Sequence, residues 1–270
     1  MVRTSLIYCA IIPAALSLAA LCAMAGFADK PPVISPYTDR LKKIASSYDS
    51  EQFKRDYKAD GPSIRCFSTP DHPFYIGIEQ ALRIHAPLAR VDATIADISG
   101  YSRIFDGMKH SGALAVSENR FLTSFEHYIP LPFIPNVKSS ILYEVFRPSA
   151  DRRIYRYQLL ESNSLTQDDG FIWLEETTGT QGEKEVLFAQ FDFFDASWGI
   201  AKALAPRKIW NDSVRGLDQS DIALQLKSEN PDWPDEKVLE ESKKVADEHD
   251  YEKEIKNRGP LQLEPSASAP

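Results

Sequence analysis

Of the side chains able to do chemistry, His127 stands first. It lies in the run F-L-T-S-F-E-H, where Phe121, Thr123, Phe125, His127 and Ile129 share one face of an alternating segment. An imidazole titrates near neutral pH, so it can orient a carbonyl or take up a proton. No Ser, Cys or Asp arrangement in the chain completes a nucleophilic set around it. A surface or core-satisfied histidine is the plainer reading, and no residue is assigned a catalytic role. The pairs Glu126/Glu144 and Glu175/Glu176 resemble carboxylate dyads, but with 39 acidic residues such pairs arise by chance. His72, His85, His110, His127 and His249 show no H-x-x-x-H or similar ligand spacing, so neither a metal nor a cofactor is expected.

The other chemically informative set is aromatic. Phe121, Phe125, Tyr143, Tyr155, Tyr157, Trp173, Phe191 and Phe193 alternate with polar neighbours at period two. Large rings on one face of a curved sheet either fill the interior or line a pocket. Polar residues mixed into the same alternating sets favour a pocket, because buried polar groups need partners that a ligand or water can supply. With His127, and with Trp198 at the start of the last helical pattern, these residues form the expected ligand-binding set. Arg156 and Gln158 share a face with Ile154.

The elements that must position them follow from periodicity. Phe74 to Ala86 alternates, with Ile76, Ile78, Gln80, Leu82 and Ile84 on one face and Gly77, Glu79, Ala81, Arg83 and His85 on the other. That pattern predicts a half-buried strand with a wet outer face. Pro87 is suited to open a helix striped by Leu88, Val91, Ile95 and Ile98, broken at Ser99-Gly100. Six strands follow: Gly112 to Ser117, Phe121 to Leu131, Ser139 to Arg147, Arg153 to Glu161, Gly170 to Thr177 and Glu185 to Phe194. Their short turn-forming connectors, S-N-S-L-T-Q-D-D among them, predict an antiparallel meander. A long helical pattern from about Ser197 to Ser228 closes the series, with a kink or split expected at Pro206 and another bend at Gly216. Near the N-terminus, Leu41, Ile44, Ala45, Tyr48 and Phe53 predict an amphipathic helix, and S-I-R-C-F-S a possible strand. Pro234 to Lys256 is densely charged and reads as a solvent-exposed helix. The terminal P-S-A-S-A-P is expected to be disordered.

Arg3, the apolar run Leu6 to Leu21 and the small-residue steps A-M-A and G-F-A read as a secretory signal peptide, which places the protein in the periplasm or outside the cell. Cys9 and Cys22 leave with that segment, so Cys66 has no intramolecular partner and reads as a small buried hydrophobe. About 242 residues remain, enough for one domain with appendages. The net charge of −8 disfavours nucleic acid and electrostatic attachment to anionic lipid.

The stretch H-A-P-L-A-R-V-D-A-T-I-A-D-I-S-G-Y-S-R-I-F-D resembles the opening of START-like domains of the SRPBCC superfamily, which includes polyketide cyclases and coenzyme-Q-binding proteins. The resemblance is carried by Ala86-Pro87, Val91, Ile95, Asp97, Ile98, Tyr101, Ile104 and Phe105, and by the proline-bearing Ile129-Pro130-Leu131-Pro132. Relatives often continue with an Arg-Asp pair, where this chain has Asn136-Val137-Lys138. The likeness spans Phe74 to Ser228. It implies an α+β helix-grip fold: a curved antiparallel sheet wrapped around a long C-terminal helix, with an apolar cavity between them. Here an extra N-terminal helix and a charged C-terminal helical tail are added.

The chain is thus divided into a signal peptide (1–28), a linker and helix (29–73), a START-like domain (74–228) and a charged helix with a tail (229–270). The leading expectation is an exported protein that holds a lipid, isoprenoid or polycyclic molecule and performs no chemistry. Two alternatives stand beside it. One is a cyclase- or hydrolase-type enzyme using His127 or a buried carboxylate in the same cavity. The other is a partner-binding protein with a packed core. The loop Pro130–Asn136 is a candidate gate or transient membrane contact.

Overall fold

The computed structural model describes residues 31–33, 38–59, 62–68, 76–129, 135–179, 182–197, 206–258 and 261–262. The expected signal peptide, Trp198, most of the Pro130–Asn136 loop and the expected disordered tail lie outside them.

The strands form one sheet. In chain order they are β1 (Ile64–Ser68), β2 (Ile76–Ile84), β3 (Met108–Ser117), β4 (Arg120–His127), β5 (Val137–Ser149), β6 (Arg152–Ser162), β7 (Leu165–Thr178), β8 (Lys184–Ala196) and β9 (Leu261–Gln262). Their spatial order is β3-β4-β5-β6-β7-β8-β2-β1-β9, antiparallel except for the short parallel pairing of β9 with β1. The meander runs β3 to β8 by consecutive hairpins, and β8 then returns beside β2. Between β2 and β3 lie α3 (Leu88–Ala96) and the short α4 (Tyr101–Ile104). The chain starts with α1 (Thr38–Ser47) and α2 (Ser50–Asp56), and ends with α5 (Pro206–Glu229), α6 (Asp235–Glu248) and α7 (Tyr251–Arg258). This is the helix-grip arrangement that the START-like resemblance implies.

The two faces of the sheet are covered differently. On the inner face Ile84, Tyr143, Tyr155, Tyr157, Ile172, Leu174, Val186 and Phe188 pack with Leu88, Val91 and Ile95 of α3, Ala223 and Leu224 of α5, and Val238 of α6. On the outer face Ala81, Ile154, Phe171, Trp173, Phe191 and Phe193 pack beneath Leu41, Ala45, Tyr48 and Phe53 of the N-terminal helices. Asp49 divides those helices: its carboxylate accepts from the Gln52 N–H at 2.8 Å and caps α2, so the single expected helix becomes two.

That outer layer corrects the wet face expected of β2. Ala81 is 0% and Glu79 1% exposed. The polar residues that signalled solvent are paired instead: Glu79 accepts from Arg65 Nε at 2.9 Å, and Arg83 donates to Glu185 at 2.5 Å. Charges matched in this way can be covered, where unpaired ones cannot.

The closing helix begins at Pro206, where a missing N–H costs little, and runs through Gly216 without a break. Its neighbour α6 is charged but not free in solvent. Val238, Ser242 and Ala246 are buried, and Gln219 of α5 donates to Ser242 Oγ at 2.7 Å and to the Ile104 carbonyl at 2.9 Å. Cys66 is buried, and burial pushes its thiol up to about 12, consistent with its reading as a small hydrophobe. Among the described residues no helix is long and apolar enough to cross a membrane.

Candidate functional site

Side chains alternate across a sheet, so one cross-strand row shows what the inner face offers. Phe121 on β4 lies opposite Tyr143 on β5, Tyr143 opposite Tyr157 on β6, Tyr157 opposite Gly170 on β7, and Gly170 opposite Asp192 on β8. Phe121 and Tyr143 stack with centroids 5.2 Å apart, as do Tyr143 and Tyr157. The row therefore passes from an aromatic ladder to a carboxyl group.

Gly170 makes the passage possible. A Cβ at this position would lie 2.3 Å from both Cζ and Oη of Tyr157 and 2.3 Å from the Phe191 carbonyl oxygen. With no side chain there, the Tyr157 ring leans across β7 and its hydroxyl donates to the Phe191 carbonyl at 3.1 Å. Gln190 Nε2 lies 3.4 Å from the same hydroxyl.

Around Asp192 the inner face becomes polar. Asp168 stands two residues before Gly170 on the same face of β7. Gln190 lies opposite Gln80 of β2. From α5, Asp218 and Asp221 reach down towards the sheet. Asp218 is satisfied: it accepts from Gln80 Nε2 at 2.5 Å and from the Tyr251 hydroxyl at 2.8 Å, and His249 Nδ1 lies 2.7 Å away. Asp221 and Asp192 are 2% and 8% exposed, and Oδ1 of each has no hydrogen-bond partner among the described residues. The Gln80 carbonyl oxygen, on a side chain 1% exposed, is unpartnered as well.

Desolvation dominates the electrostatics. Burial raises Asp192 from its ordinary value to about 7, against the lowering influence of the nearby Tyr157 hydroxyl and the Phe193 backbone. Asp168 and Asp221 rise well above the usual carboxylate range, first by burial and then by the charge of neighbouring aspartates. Tyr143 and Tyr157 are likewise held neutral by burial, reinforced by these carboxyls. Burial lowers His127 to about 4, so it is a neutral imidazole. Its ring lies 6.1 Å from that of Phe125. Asp168 and His127 are half-buried.

The residues expected to form the site thus divide. Phe121, Phe125, His127, Tyr143, Tyr155 and Tyr157 share the inner face. Tyr155 is tied by its hydroxyl to the Asp92 carboxylate of α3. Trp173, Phe191 and Phe193 belong to the outer core, where Tyr48 meets Trp173 edge-on at 5.0 Å and Phe191 at 5.3 Å. Period two placed them correctly within their strands but could not say which face was inward. Ile154, Arg156 and Gln158 fall on the outer face too. Trp198 lies outside the described residues.

The carboxylates of the pairs noted in the sequence each have a separate partner. Asn136 Nδ2 donates to Glu126 at 2.7 Å and Arg156 to Glu144 at 3.0 Å, while Arg152 Nε donates to Glu175 at 2.9 Å and Lys184 pairs with Glu176. Ligand-type atoms of His85, Glu183 and Glu185 converge within 4.8 Å, brought together by the fold rather than by spacing, and Arg83 already neutralises Glu185.

The acids Asp168, Asp192 and Asp221 were not singled out by sequence. Asp168 sits in a stretch of turn-forming composition, although β7 begins at Leu165 and carries it into the sheet. The signal available was an acid inside an apolar strand, in F-D-F-F-D, and two acids three apart in L-D-Q-S-D-I-A-L.

No family model matches the chain, and no curated protein matches it. Solved structures similar to it include the lipid transfer and protein localization domain of human StarD13 (9% identity, 70% of this chain and 97% of that one, TM-score 0.48). A STAR-related lipid transfer protein fragment from Xanthomonas axonopodis is similar at 13% identity (64% and 96% covered, TM-score 0.46). The Zhui aromatase/cyclase from Streptomyces sp. R1128 is similar at 17% identity (63% and 94%, TM-score 0.41). The fold assignment rests on strand order and helix packing themselves.

Proposed function

We propose that this is a binding protein that holds a hydrophobic small molecule between the inner face of the sheet and α5. The observation that carries the reading is the row Phe121, Tyr143, Tyr157, Gly170, Asp192: an aromatic wall ending in buried polar groups. An unpartnered carboxyl oxygen costs free energy when left dry, and here those of Asp192 and Asp221 stand together with the Gln80 oxygen at the end of the aromatic wall. An apolar wall with a few convergent polar groups is the usual composition of a ligand site. Lipids, isoprenoids and polycyclic molecules fit such a wall. The signal-like segment around Arg3 and Leu6 to Leu21 supports action outside the cytoplasm; fractionation with N-terminal sequencing tests this, and an uncleaved cytoplasmic form contradicts it.

A neutral apolar probe such as N-phenyl-1-naphthylamine tests the binding reading. Saturable one-site fluorescence enhancement, weakened at least threefold by Tyr143→Ala, is the expected result. Non-saturable enhancement, or affinity indifferent to Tyr143, counts against it.

One observation favours a second reading. Asp192, with a free oxygen and raised to about 7, matches the proton affinity of a general acid or base at neutral pH. An enzyme of the cyclase or hydrolase type would place it at the reacting atom, and turnover abolished by Asp192→Asn would mark that role.

A further inference from the structure

The unpartnered polar atoms gathered around Asp192 have one chemistry in common. Gln80 Oε1, Asp192 Oδ1 and Asp221 Oδ1 are all acceptors. The unpartnered donors Arg153 Nε, Arg156 Nε, Gln158 Nε2, Trp173 Nε1 and Ser228 Oγ sit elsewhere. Arg156, Gln158 and Trp173 belong to the outer face; Arg153, opposite Leu174, is on the inner face but lies beside Asp92 of α3, 3.6 Å away; and Ser228 is at the far end of α5. Asp168, opposite Phe194 in the register that sets Gly170 opposite Asp192, adds a third carboxyl to the inner group, diagonally across from Asp192.

Among the described residues no cation answers these acids. Asp218, one helical turn before Asp221, is met by His249, Tyr251 and Gln80. Arg215 pairs with Asp106 and Asp247, Lys243 with Asp106, and Arg83 with Glu185. The contrast between Asp218 and Asp221 matters: on one helix, one aspartate is fully satisfied and its neighbour is left open. Three carboxyl groups gathered in an apolar interior without a counter-charge repel one another and stay protonated. A bound cation reverses both effects.

From this we infer that the ligand carries a protonated primary or secondary amine on an apolar body, and that the ammonium sits among Asp168, Asp192 and Asp221. This rests on the binding function proposed above and names the class of molecule bound. An ammonium has up to three N–H donors in tetrahedral directions, which suits acceptors converging from β2, β8 and α5. A quaternary ammonium lacks the N–H, and a fatty acid brings a fourth carboxylate. An alcohol offers a single donor and no charge. The aromatic ladder Phe121–Tyr143–Tyr157 then receives the apolar body, with the Tyr157 hydroxyl at the boundary between the two.

The test uses four probes of equal chain length, decylamine, decanol, decanoate and decyltrimethylammonium, titrated calorimetrically into the purified protein below their micellar concentrations. The amine is expected to bind at least tenfold more tightly than the alcohol or the quaternary ion, and decanoate weakest of all. Its binding enthalpy is expected to vary with the ionisation heat of the buffer, because the carboxyls lose protons as the ammonium enters. Asp192→Asn and Asp221→Asn, near-isosteric changes on two different elements, should each bring the amine-to-alcohol preference towards unity. Equal affinity for amine and alcohol, a preference for decanoate, or an amine preference untouched by both variants overturns the inference while leaving a hydrophobic site in place. Failure of all four probes to bind overturns the binding function as well.

Discussion

Replacing Asp192 with Asn should make the protein more stable at neutral and alkaline pH and change little at acid pH. The carboxyl is 8% exposed, faces Gly170 and Tyr157, and among the described residues has no cation beside it. Its affinity for a proton in the folded state corresponds to about 7, against an ordinary 3.8. Between those values the folded protein holds a proton that the unfolded chain has released. Stability contributed through this group therefore falls as pH rises from about 4 to about 7, and it stays low above that. At roughly 1.4 kcal/mol for each tenfold change in proton affinity, the full effect has a ceiling of about 4 kcal/mol. Asn keeps the shape, cannot ionise and escapes the loss. Other groups titrate nearby: Glu79 is raised to about 8 by burial, and His127 is lowered to about 4, which adds stability with rising pH. Both are common to the two proteins and cancel in the difference, whereas Asp168 and Asp221 lose the charge of Asp192 in the variant, which adds to its lead at high pH. The assay is urea unfolding of the two proteins from pH 4.5 to 8.5. The variant should lead by about 2–4 kcal/mol at pH 8 and by under about 1 kcal/mol at pH 4.5. A lead independent of pH, or a variant weaker than its parent at pH 8, refutes the account of this interior.

Three further outcomes follow from the same geometry. Gly170→Ala drives a methyl group into Tyr157 and the Phe191 carbonyl, so it should cost about 3 kcal/mol in unfolding experiments and weaken binding of an apolar probe. Trp173→Ala empties the outer core and should cost about 3–5 kcal/mol, yet leave probe affinity unchanged, whereas Tyr143→Ala should lower affinity; fluorescence titration of the two separates the faces. The His127 ring signals in a proton NMR titration should stay flat from pH 5.5 to 8, because the imidazole is already neutral there; a midpoint near 6.5 contradicts its burial.

The fold was legible wherever period and punctuation agreed. The alternation of Ile78 to Ile84, Pro87 opening a helix, and turn residues spaced through the meander place β2, α3 and β3 to β8 in order. What period two cannot express is which face becomes the inside when both are covered. Ala81, Glu79 and Arg83 read as an outer face, which they form, but α1 and α2 cover it and turn it into a second core. For the same reason Trp173, Phe191 and Phe193 were grouped with Tyr143 and Tyr157, although they lie across the sheet from them. The acids were missed for a different reason. An aspartate beside Gly170 looks like a turn, and one among phenylalanines looks like a strand's wet side, until register sets Asp192 opposite Gly170 and α5 carries Asp221 to meet it. Such convergence from β7, β8 and α5 is a property of tertiary structure that spacing along the chain does not encode.

The central claim is that the inner face holds a hydrophobic molecule. Native mass spectrometry of the purified protein, before and after incubation with a total lipid extract, tests it most directly. The account predicts a one-to-one adduct that organic solvent releases as a lipophilic compound. A mass equal to that of the bare chain both before and after incubation would contradict it.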